Sequence, residues 1–488
     1  MNMDLRYIST RGYGQKVTAS EAIVKGIAPD GGLYVPESMP VLGLSMADMA
    51  TLSYQDLAYE VLKLFLTDFT EAELRACVAN AYGQGFDDPA VAPVVEADGA
   101  YFLELFHGRT LAFKDMALSI LPHFMMTAAK KIGLDKEICI LTATSGDTGK
   151  AALAGFADVP GTRIIVFYPD GGVSEVQRLQ MVTQEGDNTC VVGVRGNFDD
   201  TQTGVKKIFT DAAFAAELAA KGIVLSSANS INIGRLVPQI VYYFYAYGQL
   251  VQRGAIQAGE AINFVVPTGN FGNILAGYYA KEMGLPVKEL LCASNANRVL
   301  HDFFATSVYD KNRDFILTSS PSMDILVSSN LERLLYQLSG DGAEIARLMT
   351  SLNADGKYSF NAASSGIVSE SADEAETFAA LSDMHKAGYV MDTHTAVAAK
   401  AWQKRGDFDT KTVVVSTASP YKFGASVCGA ITGKDYASAS PDELFAEVER
   451  LSGVKVPDAI AGIARKPVRH TMVCDKQEMP DVVRKMLQ

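Results

Sequence analysis

The middle of the chain alternates short, almost unbroken apolar runs with longer stretches whose apolar residues recur at helical spacing. EICILTAT (137–144), TRIIVFYP (162–169), TCVVGVRG (189–196), IVLSSA (223–228), INFVVP (262–267) and ELLCAS (289–294) are rich in β-branched and aliphatic residues. Such short runs predict strands rather than helices. Between them lie helical stretches: KAALAGFA after the turn SGDTG, then 174–185, about 199–221, 231–252, and the segment after the glycine-rich turn that follows 267. YVMD (389–392), a helix and TVVVST (412–417) repeat the scheme. Continuous Val/Ile/Leu runs predict strands buried on both faces, the habit of parallel strands covered by helices. The pattern therefore predicts an α/β protein with doubly wound, mostly parallel sheets, whose ligand sites lie at the C-terminal ends of strands.

At 488 residues the chain is long enough for two or three packed units. The expected division is an N-terminal subdomain of mixed helix and turn (1–95), a smaller α/β lobe (96–235) and a larger one (236–488). Polar stretches at 310–322 and 351–366 read as long connections or insertions and are candidate lids. A net charge of −13, from 43 basic and 56 acidic residues, argues against a general nucleic-acid binder, which must neutralise phosphates. It leaves room for a local basic pocket. The greasiest stretch, LVPQIVYYFYAYGQLV (236–251), is too short to span a bilayer and is broken by Gln239 and Gly248, so no membrane partner is expected. Six scattered cysteines without a CxxC pair, and histidines without metal-ligand spacing, predict a reduced cytoplasmic protein with no metal site. The opening MNMDLRYISTRG lacks the basic and apolar regions of a secretory signal.

Candidate chemistry starts at HGRTLAFKDMA (107–117), where Lys114 sits among apolar neighbours. Desolvation disfavours an ammonium and makes a lysine a base or nucleophile. The plain alternative is an exposed lysine paired with Asp115. Three strand-to-helix loops add to the picture. TATSGDTGKAA (142–152) offers backbone amides and hydroxyls for an anion, or is a capping turn. PTGNFGNILAG (267–277) allows the close backbone approach that a phosphate monoester needs, or is a tight turn with an Asn cap; it is neither a nucleoside-triphosphate loop nor a dinucleotide turn. VVVSTASPYKFG (413–424) presents Thr417 or Ser419 as a neutral hydroxyl, or is a strand terminus. Together, a phosphate cradle, a carboxylate-sized anion loop, a neutral hydroxyl and a desolvated lysine are the parts needed to hold pyridoxal 5'-phosphate.

These motifs resemble those of the threonine synthases, in the tryptophan-synthase-β-like (fold type II) group of pyridoxal-phosphate enzymes. The resemblance runs in order through YISTRGYG, APDGGLYVPE, HGRTLAFKD, TATSGDTG, NSINIGRLVPQ, GNFGN, PSMDILVSSNLERLL, DTHTAVA and STASPYKF, and leaves only about the last fifty residues without a motif. It implies that Lys114 is the Schiff-base lysine, that Gly269, Asn270, Phe271 and Asn273 contact the cofactor phosphate, and that Thr417 faces the pyridine nitrogen. It places Thr144, Ser145, Asp147 and Thr148 where the substrate carboxylate is received. Ser230, Asn232, Arg235, Ser329, Asn330 and Arg333 are candidates for the substrate phosphate; Arg333 is equally a candidate ion-pair partner of Glu332 or Asp324. Two departures stand out: HGRT where the family usually reads HGPT, bringing in Arg109, and TASP for TAHP, bringing in Ser419. Of the histidines, His107 is the expected neighbour of the site rather than His394.

The implied reaction is conversion of O-phospho-L-homoserine and water to L-threonine and phosphate, by γ-elimination and then β-addition of water, in a monomer or homodimer. Rivals are a phospho-lyase or serine/threonine dehydratase that releases a 2-oxo acid, and a non-catalytic relative that senses a phosphorylated amino acid. Retention of Lys114, GNFGN and Thr417 argues against the last.

Overall fold

The computed structural model of the chain describes residues 4–487. Two sheets organise it. The smaller has five parallel strands in the order Met472–Asp475, Thr189–Arg195, Thr162–Pro169, Glu137–Ala143, Ile223–Ser226. The larger has six, in the order Ile367–Ser371, Val287–Ser294, Ile262–Pro267, Thr412–Ser416, Ala100–Glu104, Val94–Ala97, and only its last pair is antiparallel. The nearly continuous burial along Glu137–Ala143, Ile262–Pro267 and Thr412–Ser416 is what their unbroken apolar runs demand.

The sheets do not follow the division at 95/96 and 235/236 along the chain. Val94–Ala97 and Ala100–Glu104 belong to the larger sheet, and the C-terminal strand Met472–Asp475 returns to the edge of the smaller one. Strand Ala100–Glu104 joins the larger sheet because its neighbour Thr412–Ser416 offers the ladder Val413–Tyr101 through Ser416–Glu104. Pairing at such separation leaves no local trace.

Most expected strands are present, but YVMD (389–392) is not one. The preceding helix Glu374–Lys386 ends in a glycine with φ of 88° at Gly388, and Asp392 caps the next helix, Thr393–Arg405, by accepting from the Thr395 and His394 amides. Tyr389 buries its ring against Phe102, with centroids 4.6 Å apart, which is why the segment reads as apolar. The strand in that neighbourhood is Ile367–Ser371. The helical stretch 199–221 is two helices, Phe198–Thr210 and Ala212–Ala220, with Asp211 capping the second. The stretch 231–252 likewise breaks into Ile233–Leu236 and Pro238–Gln252, with Pro238 in the first turn of the longer helix.

That longer helix is the tyrosine-rich segment. Tyr242, Tyr243 and Tyr247 are fully buried, so its apolarity reflects an interior position, packed against helices Gly272–Glu282 and Tyr54–Phe65. No described helix is long and apolar enough to cross a membrane. In the polar stretches, Val308–Asp310 and Lys357–Ser359 pair as an antiparallel ribbon.

Helix Asp147–Phe156 must approach the short helix Asp115–Leu118 closely, and Gly155 permits it: a Cβ there would overlap the Leu118 carbonyl oxygen. Gly155→Ala should therefore cost about 1–3 kcal/mol by forcing the two helices apart. A urea midpoint that does not fall would show that the helices separate freely.

Candidate active site

Lys114 is 8% exposed and directly precedes the short helix Asp115–Leu118, without a side-chain capping bond. Its segment is tied to the exit of strand Thr412–Ser416 by a two-way backbone bridge: Phe113 N–H donates to the Thr417 carbonyl (2.8 Å), and Ser419 N–H to that of Leu111 (3.0 Å). Asp115 is not the partner of Lys114. Its carboxylate turns away to accept from Thr110 N–H (2.8 Å) and Oγ1 (2.7 Å). Lys114 Nζ instead reaches Asp147 Oδ2 (3.2 Å) and Ser322 Oγ (3.0 Å). Burial lowers the proton affinity of Lys114; Asp147 opposes this, and the cations Arg235 and Lys422 add to it.

Asp147 comes from the TSGDTG turn. Thr144 Oγ1 accepts from the Gly146 and Gly149 amides (2.9 and 2.8 Å), and Gly146 takes a φ of 128° that only glycine adopts readily. This curl aims Asp147 inward, where Oδ1 accepts from Gln177 Nε2 (2.9 Å) and lies 2.9 Å from Lys422 Nζ. Burial alone would raise the Asp147 pKa, but Lys114 and Lys422 outweigh it and hold the carboxyl well below the usual range. Ser145 and Thr148 remain half-buried on the same turn.

The GNFGN turn follows strand Ile262–Pro267 and opens helix Gly272–Glu282, with Phe271 in the left-handed region (φ 64°) and no side-chain cap on the helix. A Cβ on Gly269 would stand 2.5 Å from the Ser322 carbonyl oxygen. The turn's carbonyls are satisfied from 328–330: Ser328 Oγ donates to Gly269 (2.7 Å), and Asn330 Nδ2 and N–H donate to Asn270 (3.0 and 3.1 Å). Ser329 Oγ reaches Asn270 Oδ1 at 3.3 Å. Asn273 Oδ1 accepts from Tyr242 and Tyr243 hydroxyls (both 2.7 Å), which leaves its buried Nδ2 without a partner. A buried donor costs free energy unless something accepts from it. An uncapped helix N-terminus beside an unpartnered amide fits a phosphate ester.

The substrate-phosphate candidates separate into different environments. Arg333 is fully buried and pairs with neither Glu332 nor Asp324. Its guanidinium donates to the carbonyls of Tyr34 (2.9 Å), Ile231 (2.6 Å) and Ser230 (3.5 Å) and to Asn330 Oδ1, while Glu332 is taken by Arg11 and Thr10. Asn232 is spent internally: Oδ1 accepts from Gly234 N–H, and Nδ2 donates to the Ile23 carbonyl (both 2.9 Å). Arg235 commits one donor to the Ala228 carbonyl (2.9 Å), and burial brings its pKa down to about 10.

Arg109 is exposed and folds over Gly85, away from Lys114. Ser419 is buried and accepts from Tyr421 N–H in a tight turn. The roles expected of the histidines are reversed. His107 lies between Asp87 (2.6 Å) and Glu104 (3.0 Å), whereas His394 Nε2 accepts from the backbone N–H of Ser322 (3.1 Å) and its Nδ1 meets Asp392 (2.6 Å). Ser322, Lys422 and Gln177 were missed from the sequence. Ser322 and Lys422 stand inside quoted motifs, yet their contacts with Asp147 span 175 residues for Ser322 and join separate loops for Lys422.

Comparison with known proteins bears on this geometry. Residues 6–82 match the threonine synthase N terminus, 89–419 the pyridoxal-phosphate dependent enzymes, and 395–483 the threonine synthase C-terminal model. A threonine synthase of Pseudomonas aeruginosa is 40% identical over 91% of this chain and 94% of its own. The chain belongs to the threonine synthase family. The solved threonine synthases from Brucella melitensis, with bound pyridoxal phosphate, and from yeast superpose with TM-scores of 0.86 and 0.87, at 34% and 30% identity, over 99–100% of each chain. Human threonine synthase-like 1 is 39% identical over 88% of this chain, which spans 61% of that relative's length. The C-terminal match also covers the final stretch where no motif was placed.

Two outcomes test these contacts. Asn273→Asp exchanges the unpartnered amide for an oxygen and should weaken pyridoxal-phosphate binding by about 1.5–3 kcal/mol. Unchanged affinity in an absorbance titration of the apoprotein would remove Asn273 from the cradle. For His107, burial lowers the pKa, but Asp87 and Glu104 outweigh it and raise it from 6.5 to about 9. A raised folded value stabilises fully below the unfolded pKa and is lost as pH rises through the folded one. His107→Asn should thus cost about 1–2 kcal/mol near pH 6 and much less above about pH 10, read as urea midpoints across that range.

Proposed function

We propose that this protein converts O-phospho-L-homoserine and water to L-threonine and phosphate. The observation that carries the proposal is a buried lysine of lowered proton affinity beside an anion cradle that ends in the unpartnered Asn273 amide. Family membership supports it.

Bound pyridoxal phosphate supplies an electron sink for the charge that develops when a proton leaves the substrate carbon bearing the amino group. The remaining work is the chain's. Gly269, Asn270, Phe271 and Asn273 hold the cofactor phosphate, and Thr417 offers the ring nitrogen a neutral hydroxyl. Thr144, Ser145 and Thr148 orient the substrate carboxylate; Asp147, expected to share that role, is itself a buried carboxylate held by Lys114 and Lys422 and would repel another anion. Lys114 is placed to take the proton from Cα and then one from Cβ, whose bonding electrons expel the phosphate from Cγ, a role suited to an amine whose burial disfavours its charged form. A proton is then returned to Cγ, water adds its hydroxyl at Cβ, and Cα is reprotonated. Asp147 and Ser322 steady Nζ through these transfers. Arg235 is the proposed contact of the substrate phosphate, with Ser230, Ser329 and Asn330 beside it; Arg333 and Asn232 shape the pocket floor through the bonds that already occupy them. A reducing cytoplasmic setting is part of the proposal, supported by six unpaired cysteines.

The rival reading, a phospho-lyase or serine/threonine dehydratase, would release a 2-oxo acid instead. Purified protein with pyridoxal phosphate and O-phospho-L-homoserine should release threonine and phosphate in equal amounts, and Lys114→Ala should abolish both. Phosphate matched by 2-oxobutyrate would instead make the protein a lyase. Cofactor binding without turnover would mean that the substrate is wrong.

A further inference from the structure

A second lysine is buried at the site. Lys422, in the tight turn Pro420–Phe423 beyond Thr417, is 1% exposed, and its Nζ lies 2.9 Å from Asp147 Oδ1. It also donates to the Thr110 carbonyl (2.9 Å) and Gln180 Oε1 (3.2 Å). Asp147 thus stands between two buried lysines, with Lys114 on Oδ2 at 3.2 Å and Lys422 on Oδ1. The carboxylate is divided.

We propose that Lys422 is a positioning residue: by occupying one oxygen of Asp147 it confines the carboxylate to a single-oxygen contact with Lys114, so that Nζ gives up its proton when the cofactor arrives. This rests on the reading of Lys114 as the lysine that carries the cofactor.

The geometry makes the case. A buried carboxylate facing one lysine alone would hold it as ammonium, because attraction is strong where water is excluded. An ammonium does not attack an aldehyde. With Lys422 present, the charged groups facing Lys114 are Asp147 from its helix, Arg235 from the helix Ile233–Leu236 and Lys422 from the turn. Asp115 is turned to Thr110, and Lys150 lies farther back, toward Asp115 and Lys422. Ser322 and Gln177 complete the shell around Asp147 as neutral donors. Cations outnumber the carboxylate, and together with burial they lower the proton affinity of Lys114. The Thr110 and Gln180 contacts on their own would make Lys422 a strut between loops, a role that has no bearing on Lys114.

The two roles separate in the pH dependence of cofactor uptake by the apoprotein, followed by the absorbance of bound pyridoxal phosphate. Uptake is the condensation of neutral Nζ with the cofactor aldehyde, which releases water, so its rate rises through a midpoint that reports Lys114. Lys422→Met should move the midpoint up by about one unit, the size expected when a nearby like charge is removed and an opposite one concentrated. Lys422→Arg should restore it, and Asp147→Asn should move it down. In the Asp147→Asn background, Lys422→Met should shift the midpoint by less than half as much, because the intermediary is gone. If Lys422→Met does not fold, Lys422→Gln, which keeps a donor for Thr110, is read the same way. An unmoved midpoint, or an equal shift with and without Asp147, would overturn the role of Lys422 alone. A wild-type protein that takes up no cofactor would overturn the proposed function as well.

Discussion

The buried carboxylate of Asp147 is the constraint on which the rest of the site depends. It can remain ionised there only because Lys114 and Lys422 approach it from opposite sides and Gln177 and Ser322 donate to it. Each partner arrives on a different element: the turn before Asp115–Leu118, the turn Pro420–Phe423, the helix Glu175–Val182 and the turn around Pro321–Met323. One charge therefore gathers three turns and a helix, and it does so at the C-terminal ends of strands from both sheets, where an α/β fold leaves room for a ligand.

The GNFGN turn, the proposed phosphate cradle, is built on a similar economy of bonds. Tyr242 and Tyr243, on a helix buried among other helices, commit their hydroxyls to Asn273 Oδ1 and so fix which way its amide points. Arg333, without a carboxylate partner, organises the carbonyls of Ser230, Ile231 and Tyr34 and holds Asn330, whose own amide braces the turn at Asn270. Glu332 joins the N-terminal segment to this frame through Arg11 and Thr10. Thr10 and Arg11 are in this way connected to the segment that carries Arg333.

Several features carried a signal that pointed elsewhere. Arg109 is a cation five residues from Lys114 in sequence, yet its side chain packs over Gly85. His107 looked like the site's histidine because it shares a motif with Lys114, but its two carboxylate neighbours hold it apart, and His394 reaches the site by supporting Ser322. YVMD has the composition of a strand because Tyr389 must fill space against Phe102, an effect of packing rather than of pairing.

The residues by themselves determined most of the strands in the two sheets, through apolar runs that only doubly covered sheets can bury, and they determined the loops that can approach an anion, through glycines and small hydroxyls at strand ends. Those signals are local, carried within a few residues of backbone preference and hydropathy. Tertiary structure alone decided which sheet each strand joined, which histidine came to the site, and that Lys114 would meet Asp147 rather than Asp115. These depend on contacts between residues far apart in the chain, and a side chain's charge in sequence says nothing about which distant partner will share its buried space.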